Sequence, residues 1–297
     1  MTPTVIDWAR LGAGGFSDAD TDLALDLADR EHAPWRRSPR AGQHGKHLVL
    51  ADGRVTIDNT DPLLPPPRWR PVDAVHPNLV RAMAFVERWP EAARQWPRLV
   101  HTLQGFWDTD ASAGPLRSAS HSEGARLGVF ALTLNCPLAS AQAIVHEAAH
   151  NKLRALGVDN ESAVRIVANP PDQRFRSPVV LDRLRPMTAV LHALYSFLHV
   201  LQLDLLLLKQ ETDAAVRDDL LALIGRNLPR IEDGIGEVRR NIRVDEAGAG
   251  FLEGLTAWSA AVIAEARDVL AREPAMASIP GRTPAGRIAG QARSPSG

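Results

Sequence analysis

The sequence His146-Glu147-Ala148-Ala149-His150 constrains the fold of this chain more than any other feature. On an α-helix, residues four apart lie one above the other, so both histidines project from one face and can share a metal ion. Small and apolar neighbours, including Ala143 and Ile144, favour a helix that is buried on one side. We therefore predict a metal-carrying helix that begins near Ala139.

The glutamate of this HExxH motif, Glu147, is the candidate catalytic residue. In such motifs the glutamate polarises a metal-bound water or acts as a general base. The alternative is a helix whose two histidines are satisfied by hydrogen bonds. Leu156 occupies the place where the extended zinc-protease motif has a third histidine, and Glu161 is closer to the motif than a ligand on a returning helix needs to be. Both observations weaken the protease interpretation.

A third metal ligand is expected on the apolar helix that we predict from about Met187 to Lys209. The long loop before this helix allows it to return across the metal. His192 is the predicted third ligand, and His199 lies seven residues later on roughly the same face. The alternative for each is a hydrogen-bonded core histidine. His121, on the strand side of the site, is a candidate substrate contact or else an exposed turn residue.

Composition limits the partners of the protein. Lys and Arg number 34 against 35 Asp and Glu, and the net charge of -1 draws the chain to neither nucleic acid nor an anionic membrane. The single cysteine, Cys136, excludes an internal disulfide framework and favours the cytoplasm. The first residues lack the pattern of a secretory signal. Polar residues interrupt the apolar stretch 189–208, which predicts a buried helix rather than a membrane span.

The N-terminal part of the chain alternates short elements with connectors. Residues 18–30 predict a helix, followed by a basic connector. Two short apolar runs around Asp52-Gly53 predict a β-hairpin, because this dipeptide supplies the backbone angles of a tight turn. In the segment 61–73, successive prolines remove hydrogen-bond donors, so we predict an irregular connector there.

The remainder of the chain predicts a mainly helical unit. Residues 76–107 predict helix with a break at Pro90, and residues 127–135 predict a strand. Residues 157–186 predict a long loop. Three helices are predicted to follow, at about 187–209, 213–226 and 247–272.

These elements predict a mainly α fold with a small β element, of the α+β class. The HExxH helix is expected to pack beside a short strand pair and a second helix that carries a histidine. We divide the chain into an N-terminal helix, hairpin and Pro-rich connector (1–75), a helical metal-binding catalytic domain (76–275) and a disordered tail (276–297).

Three stretches, HEAAHNKLRAL, RFRSPVVLDRLRP and MTAVLHALYSFLHV, resemble the core of a known family. This family consists of the HExxH-motif peptide-modifying proteins of clusters that make ribosomally synthesised, modified peptides (RiPPs). The upstream stretch SASHSEGARLGVFALTLN is similar to the Ser-rich strand that ends just before the family's helix. The resemblance covers roughly Ser118 to Leu203, about a third of the chain.

The resemblance implies an iron(II)- and 2-oxoglutarate-dependent hydroxylase that installs a β-hydroxyl group on a residue of a precursor peptide. It implies that His146, His150 and His192 are the iron ligands. Arg185 would meet the 2-oxoglutarate carboxylate, because a guanidinium fork binds a carboxylate bidentately. Ser120 and His121, on the Ser-rich strand, complete the predicted cofactor-binding set together with Arg183.

The chain departs from the family pattern in two places. The family commonly has a Trp-Arg pair after the loop proline and an acidic residue with proline before Arg-Pro, whereas this chain has neither after Pro178. The choice between Arg183 and Arg185 therefore stays open. Ala148 and Ala149 replace an aromatic residue and a glutamine that the family often has, which enlarges the pocket or changes the packing.

Two other functions stay open. Affinity alone favours zinc over Fe(II), and a neutral three-histidine site suits either metal. A zinc metallopeptidase would use Glu147 as the base that activates bound water. The other alternative is a noncatalytic peptide-binding module that keeps the metal helix as a scaffold. The basic residues Arg36, Arg37 and Arg40 are interpreted as solvated surface, with precursor-peptide binding as the alternative.

Overall fold

The structure is a computed structural model that describes residues 6–14, 18–31, 48–51, 54–64, 67–72, 75–110, 116–180 and 182–273. Within these ranges the helices are α1 (Trp8–Gly12), α2 (Asp18–Glu31), α3 (Pro77–Glu87), α4 (Pro90–Leu99), α5 (Pro137–Ala155), α6 (Met187–Gln210), α7 (Ala214–Asn241) and α8 (Glu246–Arg272). The strands are β1 (Leu48–Leu50), β2 (Val55–Ile57), β3 (Trp69–Pro71), β4 (Thr102–Asp108), β5 (Ser120–His121) and β6 (Val129–Thr133). A short 3₁₀ helix, Gly124–Arg126, precedes β6.

The described strands form one mixed sheet with β4 at its centre. The order is β1-β2-β4-β6-β5, and β3 also pairs with β4. The pairs β2/β4 and β4/β6 are parallel, whereas β1, β3 and β5 each pair in the antiparallel direction. All residues of β6 are buried, which is typical of a parallel strand covered on both faces. The mainly helical chain with this small sheet confirms the α+β class.

The helix that carries the HExxH motif, α5, lies at the centre of the molecule. It contacts α2, α3, α4 and α6 on its helical sides and β5 and β6 on the sheet side. Pro137 occupies its first turn, where a missing backbone N–H costs nothing. Small residues such as Ala141, Ala148 and Ala149 are completely buried, which allows neighbouring elements to approach closely.

The second central helix, α6, is also buried. Two described helices, α6 and α8, are long and apolar enough to cross a bilayer by length and composition alone. In α6, 78% of the most apolar window is buried inside the protein, against 44% in α8. Burial inside the fold is the behaviour of a core helix, and the prediction of a buried helix at this place is confirmed.

Three predicted elements are corrected by the structure. The helix predicted up to residue 107 ends at Leu99, and Thr102–Asp108 is instead the central strand β4, because β2 and β6 pair with it from distant parts of the sequence. Within the Pro-rich connector, Trp69–Pro71 forms β3; a proline is tolerated there because the strand lies at an edge. Helix α7 continues past Pro229 to Asn241, because Ile231, Ile235 and Val238 extend its buried face.

Other predictions are confirmed or stay open. The antiparallel pair of β1 and β2 confirms the hairpin, although its Asp52-Gly53 turn lies outside the described residues. The predicted tail 276–297 and the basic residues Arg36, Arg37 and Arg40 lie outside them as well. The domain boundary at residue 75 stays a prediction; strands on either side of it share one sheet.

The loop between α5 and α6 is anchored to the junction of α7 and α8. Ile166 has a φ of 72°, which costs a β-branched residue about 1–3 kcal/mol. The Ile166 N–H donates to Asp245 Oδ2 at 2.9 Å, and the other oxygen of Asp245 accepts from the Gly248 N–H at 2.7 Å. The Asn169 side chain bonds to the backbone of Asn241 and Arg243. These contacts fix the loop that forms one wall of the cavity described below.

Glycines bring α1 and α8 into backbone contact. A Cβ atom on Gly254 would lie 1.8 Å from the carbonyl oxygen of Ala9, and one on Gly12 would lie 1.9 Å from that of Phe251. Any larger residue at either position therefore forces the two helices apart.

We predict that Gly254→Ala lowers the free energy of unfolding by about 1–3 kcal/mol, because the added methyl group overpacks the α1–α8 contact. Gly225→Ala on α7 is the matched control. Its Cβ would meet nothing closer than Leu270 Cδ2 at 3.9 Å, so it should stabilise the protein by about 0.5–1 kcal/mol through helix propensity. Urea unfolding of the two variants checks both signs; stabilisation by both would contradict the close contact.

Candidate functional site

The candidate site lies along the seam between the antiparallel helices α5 and α6. Gln142, His146 and His150 follow one another at four-residue spacing on α5, so they lie on one face. Each meets a residue of α6. Gln142 bonds to Asp204, the His146 ring lies edge-on to Phe197 at 5.3 Å, and the His150 ring stacks on His192 at 5.0 Å.

Three histidines of this seam form a directed hydrogen-bond chain. His192 Nε2 lies 2.9 Å from the Val158 carbonyl oxygen, which can only accept, so this nitrogen carries the proton. In the neutral ring, His192 Nδ1 is then the acceptor for His150 Nδ1 at 2.8 Å. His150 Nε2 is left with its lone pair and accepts from His146 Nε2, which lies 3.0 Å away and therefore carries a proton. The chain therefore presents His150 Nε2 as an unprotonated nitrogen.

Burial keeps these imidazoles neutral. Loss of hydration is the largest cause that lowers the pKa of His146 and of His150, and for His150 the neighbouring His146 adds to the effect. The same cause lowers the pKa of His192 to about 3. Neutral imidazole is the form that binds a metal.

The geometry fits two nitrogen ligands of one metal ion. Ligands about 2.1 Å from a common ion lie about 3.0–3.4 Å from each other, and the Nε2 atoms of His146 and His150 are 3.0 Å apart. Imidazole nitrogens suit iron and zinc alike. Among the described residues, no group of three or more His, Cys, Asp or Glu side chains is arranged to hold a metal ion.

His192 lies beside this pair, but both of its ring nitrogens are engaged by His150 and Val158. In this position it fixes the orientation and tautomer of His150, as a hydrogen-bond partner of a metal ligand commonly does. Its role as third ligand stays a prediction. His199 is a hydrogen-bonded core histidine: its Nδ1 donates to the Tyr195 carbonyl at 2.8 Å, and its ring packs against Trp258.

Glu147 is buried and held by two serines. Ser120 Oγ donates to Glu147 Oε1 at 2.7 Å, and Ser122 Oγ donates to Oε2. Arg154 in turn donates to Ser122, through Nη1 to the hydroxyl oxygen at 2.7 Å and through Nη2 to the backbone carbonyl at 3.0 Å. With both carboxylate oxygens engaged, Glu147 ties α5 to β5.

Strand geometry explains the positions of Ser120 and His121. Alternate residues of an extended segment point to the same side, and Ser120 and Ser122 both reach Glu147. His121 lies between them and is exposed. Neither Ser120 nor His121 is among the described residues that line the cavity beside the histidines; their predicted cofactor-binding role stays a prediction.

A cavity of about 160 Å³ opens beside the histidine pair. Its walls combine three imidazoles, one guanidinium, two uncharged polar side chains and an apolar surface. The described lining residues are His146, His150, His192, Arg185, Asn160, Ser177, Val179, Val180, Ala189, Ala193 and Phe197. The Oδ1 atom of Asn160 is buried there and finds no hydrogen-bond partner among the described residues, which costs about 1–3 kcal/mol unless a ligand satisfies it.

The two candidate arginines occupy different places. Arg185 lines the cavity, and its Nη2 donates to Glu161 Oε1 at 3.0 Å. Arg183 is exposed and lines a neighbouring surface groove of about 580 Å³. The groove and the cavity share Ser177 and Val180, so they adjoin. The structure thus brings Arg185, and not Arg183, to the cavity.

Sequence reasoning missed several residues of the site. Arg154 and Ser122 act through a network that joins separate elements, and no sequence signal points to it. Asn160 gave no signal either, because its relevance comes from an unpartnered atom. The four-residue spacing of Gln142 before His146 was a usable signal, since it continues the buried polar face of α5.

Comparisons with known proteins identify no family for this chain. No protein-family model matches it, and no curated protein matches it significantly. The resemblance to the HExxH peptide-modifying proteins therefore stays a prediction.

One turn of α5 away from His146, the seam buries a carboxyl group. Gln142 Nε2 contacts both oxygens of Asp204, at 2.7 and 2.8 Å. Burial raises the pKa of Asp204 from 3.8 to about 7. Between these values the folded protein binds more protons than the unfolded chain, so the free energy of unfolding falls as pH rises through this range.

We predict that Asp204→Asn removes this decrease in the free energy of unfolding with rising pH, because the amide has no charge to bury and keeps an oxygen for Gln142. The variant should exceed the wild type in stability at about pH 8 and converge with it towards about pH 4, with a slope difference of up to about 1.4 kcal/mol per pH unit. Urea unfolding across this range is the measurement. Asp182→Asn, at an exposed acid, is the control. Parallel pH profiles for wild type and Asp204→Asn would refute the buried-charge penalty.

Proposed function

We propose that this protein is an iron(II)- and 2-oxoglutarate-dependent hydroxylase that acts on the β-carbon of a residue in a ribosomally synthesised precursor peptide. One observation carries the proposal: the paired Nε2 atoms of His146 and His150 and the guanidinium of Arg185 border a single small cavity. Together they offer a metal position and a carboxylate position to the same ligand.

His146 and His150 would hold the metal, with His192 as the predicted third ligand. Bound iron would supply dioxygen activation, in which one oxygen atom enters succinate as 2-oxoglutarate loses carbon dioxide and the other enters the peptide C–H bond. The neutral state of the histidines supports this role. The Val158 carbonyl fixes the tautomer of His192 and, through it, that of His150. To become the third ligand, His192 would have to exchange its bond to His150 for one to the metal.

Arg185 would bind a carboxylate of 2-oxoglutarate. Its contact with Glu161 supports this role, since its guanidinium already binds a carboxylate at the cavity. The cavity volume of about 160 Å³ suits a small dicarboxylate. Apolar side chains, among them Val179, Ala189 and Phe197, line the remaining wall and exclude water, which strengthens charge interactions inside.

The environment of Glu147 bears on the choice between oxygenase and peptidase chemistry. A metallopeptidase needs this carboxylate as a base beside a metal-bound water. Here both oxygens already accept hydrogen bonds from Ser120 and Ser122, and the residue is only 2% exposed. Glu147 thus fixes α5 to β5, but its Oε1 also lies 4.0 Å from His146 Nε2 and keeps a lone pair, so a peptidase could still use it as the base.

The adjoining groove supports a peptide substrate. Its volume of about 580 Å³ exceeds that of the cavity, and both signs of charge line it, from Arg176 and Arg240 to Asp233 and Glu237. Because Ser177 and Val180 belong to both spaces, a chain lying in the groove would reach the cavity with one side chain.

We predict that protein reconstituted anaerobically with Fe(II) releases succinate from 2-oxoglutarate when oxygen is admitted, and that His150→Ala abolishes the release. His101→Gln, which changes an imidazole outside the described cavity lining, should retain it. Metal content measured alongside should fall in His150→Ala only. Absence of succinate combined with cleavage of peptides by the zinc-loaded protein would replace the proposal with a metallopeptidase.

We further predict that Arg185→Gln raises the KM for 2-oxoglutarate by at least about tenfold, because removing a charged partner of a carboxylate in a desolvated site costs about 1.5–3 kcal/mol. Arg183→Gln is the matched control and should leave this KM within about twofold, since its side chain lines the groove instead. Succinate release at varied 2-oxoglutarate concentration measures both. The reverse pattern would assign the cosubstrate to Arg183.

A further inference from the structure

Arg185 holds a carboxylate from its own chain. Its Nη2 donates to Glu161 Oε1 at 3.0 Å. Arg185 is the one Lys, Arg, Asp or Glu among the described residues that line the cavity. A carboxylate that binds this guanidinium bidentately in the cavity, with Nη2 as one of its two donors, meets Glu161 as a competitor.

The side chains of Arg185 and Glu161 differ in how freely they can move. The backbone of Arg185 is fixed by a pair of hydrogen bonds with Phe175, at 2.8 and 2.9 Å, and its side chain is 20% exposed. The side chain of Glu161 is 64% exposed. The backbone beside it is fixed by the Thr188 hydroxyl, which donates to the Asn160 carbonyl at 2.8 Å. Exchange of carboxylates on Arg185 therefore needs only a rotation of the Glu161 side chain into solvent.

We propose that Glu161 is an affinity-setting residue of this cavity: it occupies Arg185 until the carboxylate of a ligand replaces it, and it takes Arg185 back when the ligand leaves. The inference rests on the proposed function for the identity of the ligand, 2-oxoglutarate. It assigns to Glu161 a role that is neither metal binding nor base catalysis.

The competition has a defined consequence for substrate and product. An internal competitor weakens every ligand that uses Arg185 by the same factor, because the same contact must be broken first. 2-Oxoglutarate and succinate should thus lose affinity equally. Succinate has lost the C1 carboxylate as carbon dioxide, and its former C2 carbonyl is now a carboxylate, so it no longer has the 2-oxoacid group as a second attachment. The competition therefore drives its already weaker complex towards release.

The size of the factor follows from the exposure of the pair. Ion pairs with one well-exposed partner stabilise weakly, so Glu161 should reduce affinity by only about two- to fivefold. A gain of ligand affinity in a Glu161 variant is a strict test of the inference, because a misfolded variant cannot bind its ligand more tightly.

The test is calorimetric titration of the anaerobic Fe(II)-loaded protein with 2-oxoglutarate and, separately, with succinate. Glu161→Gln should tighten both by the same factor of about two to five. Asp182→Asn, which removes an exposed negative charge from the same loop, should tighten neither. In the Arg185→Gln background, Glu161→Gln should have no effect, since the competition needs the guanidinium.

The outcomes separate the inference from the function. If 2-oxoglutarate binds through Arg185 but Glu161→Gln leaves affinity unchanged, or Asp182→Asn matches it, the inference is overturned and the function stands. If Glu161→Gln tightens only one of the two ligands, competition for Arg185 is overturned as well. If neither wild type nor Glu161→Gln binds 2-oxoglutarate, the proposed function falls and takes the inference with it.

Discussion

The burial of α5 against α6 is the constraint on which the rest of the site depends. Both helices lie inside the molecule, yet the seam between them carries polar groups, which are costly to bury unless each finds a partner. The partners come from the facing helix or from the loop between the helices: Asp204 for Gln142, His192 for His150 and the Val158 carbonyl for His192. A buried polar seam of this kind fixes the register of the two helices, because a shift along the axis would separate every pair at once.

The described part of the loop that joins the two helices is held by hydrogen bonds to distant elements. It crosses to the α7–α8 junction, where Asp245 binds the Ile166 N–H and caps α8 at the same time. The strained backbone of Ile166 persists because these contacts over-determine it. The return of the loop then places Arg185 on the cavity wall by pairing its backbone with Phe175. A cavity wall made of loop thus gains the rigidity that ligand positioning needs.

The central part of the site could be predicted from the sequence because it is local. Helical spacing put His146 and His150 on one face, and the apolar run predicted the helix that brings His192 beside them. Among the predicted elements that were wrong, two depend on distant partners. The segment of β4 was predicted as helix, but it is a strand because β2 and β6 flank it. The predicted end of α7 was too early, because the apolar face of the helix continues past Pro229. The choice between Arg183 and Arg185 stayed open in the sequence for the same reason, since it depends on how a bridge between Phe175 and Arg185 turns the loop.

An HExxH motif does not by itself determine the chemistry of a site, and the strand beside it explains why. On α5, the direction of Glu147 follows from the helix, but what its carboxylate can do depends on β5. Ser120 and Ser122 occupy both oxygens, and Arg154 holds Ser122 from behind. A carboxylate so engaged is held in one orientation and can accept a proton only on the lone pairs that the serines leave free, whereas His146 must give up the proton that it donates to His150 before both ring nitrogens can bind a metal. The same five residues could therefore serve a metal site with or without Glu147 as a base, and the hydrogen bonds from Ser120 and Ser122 determine how that carboxylate is oriented.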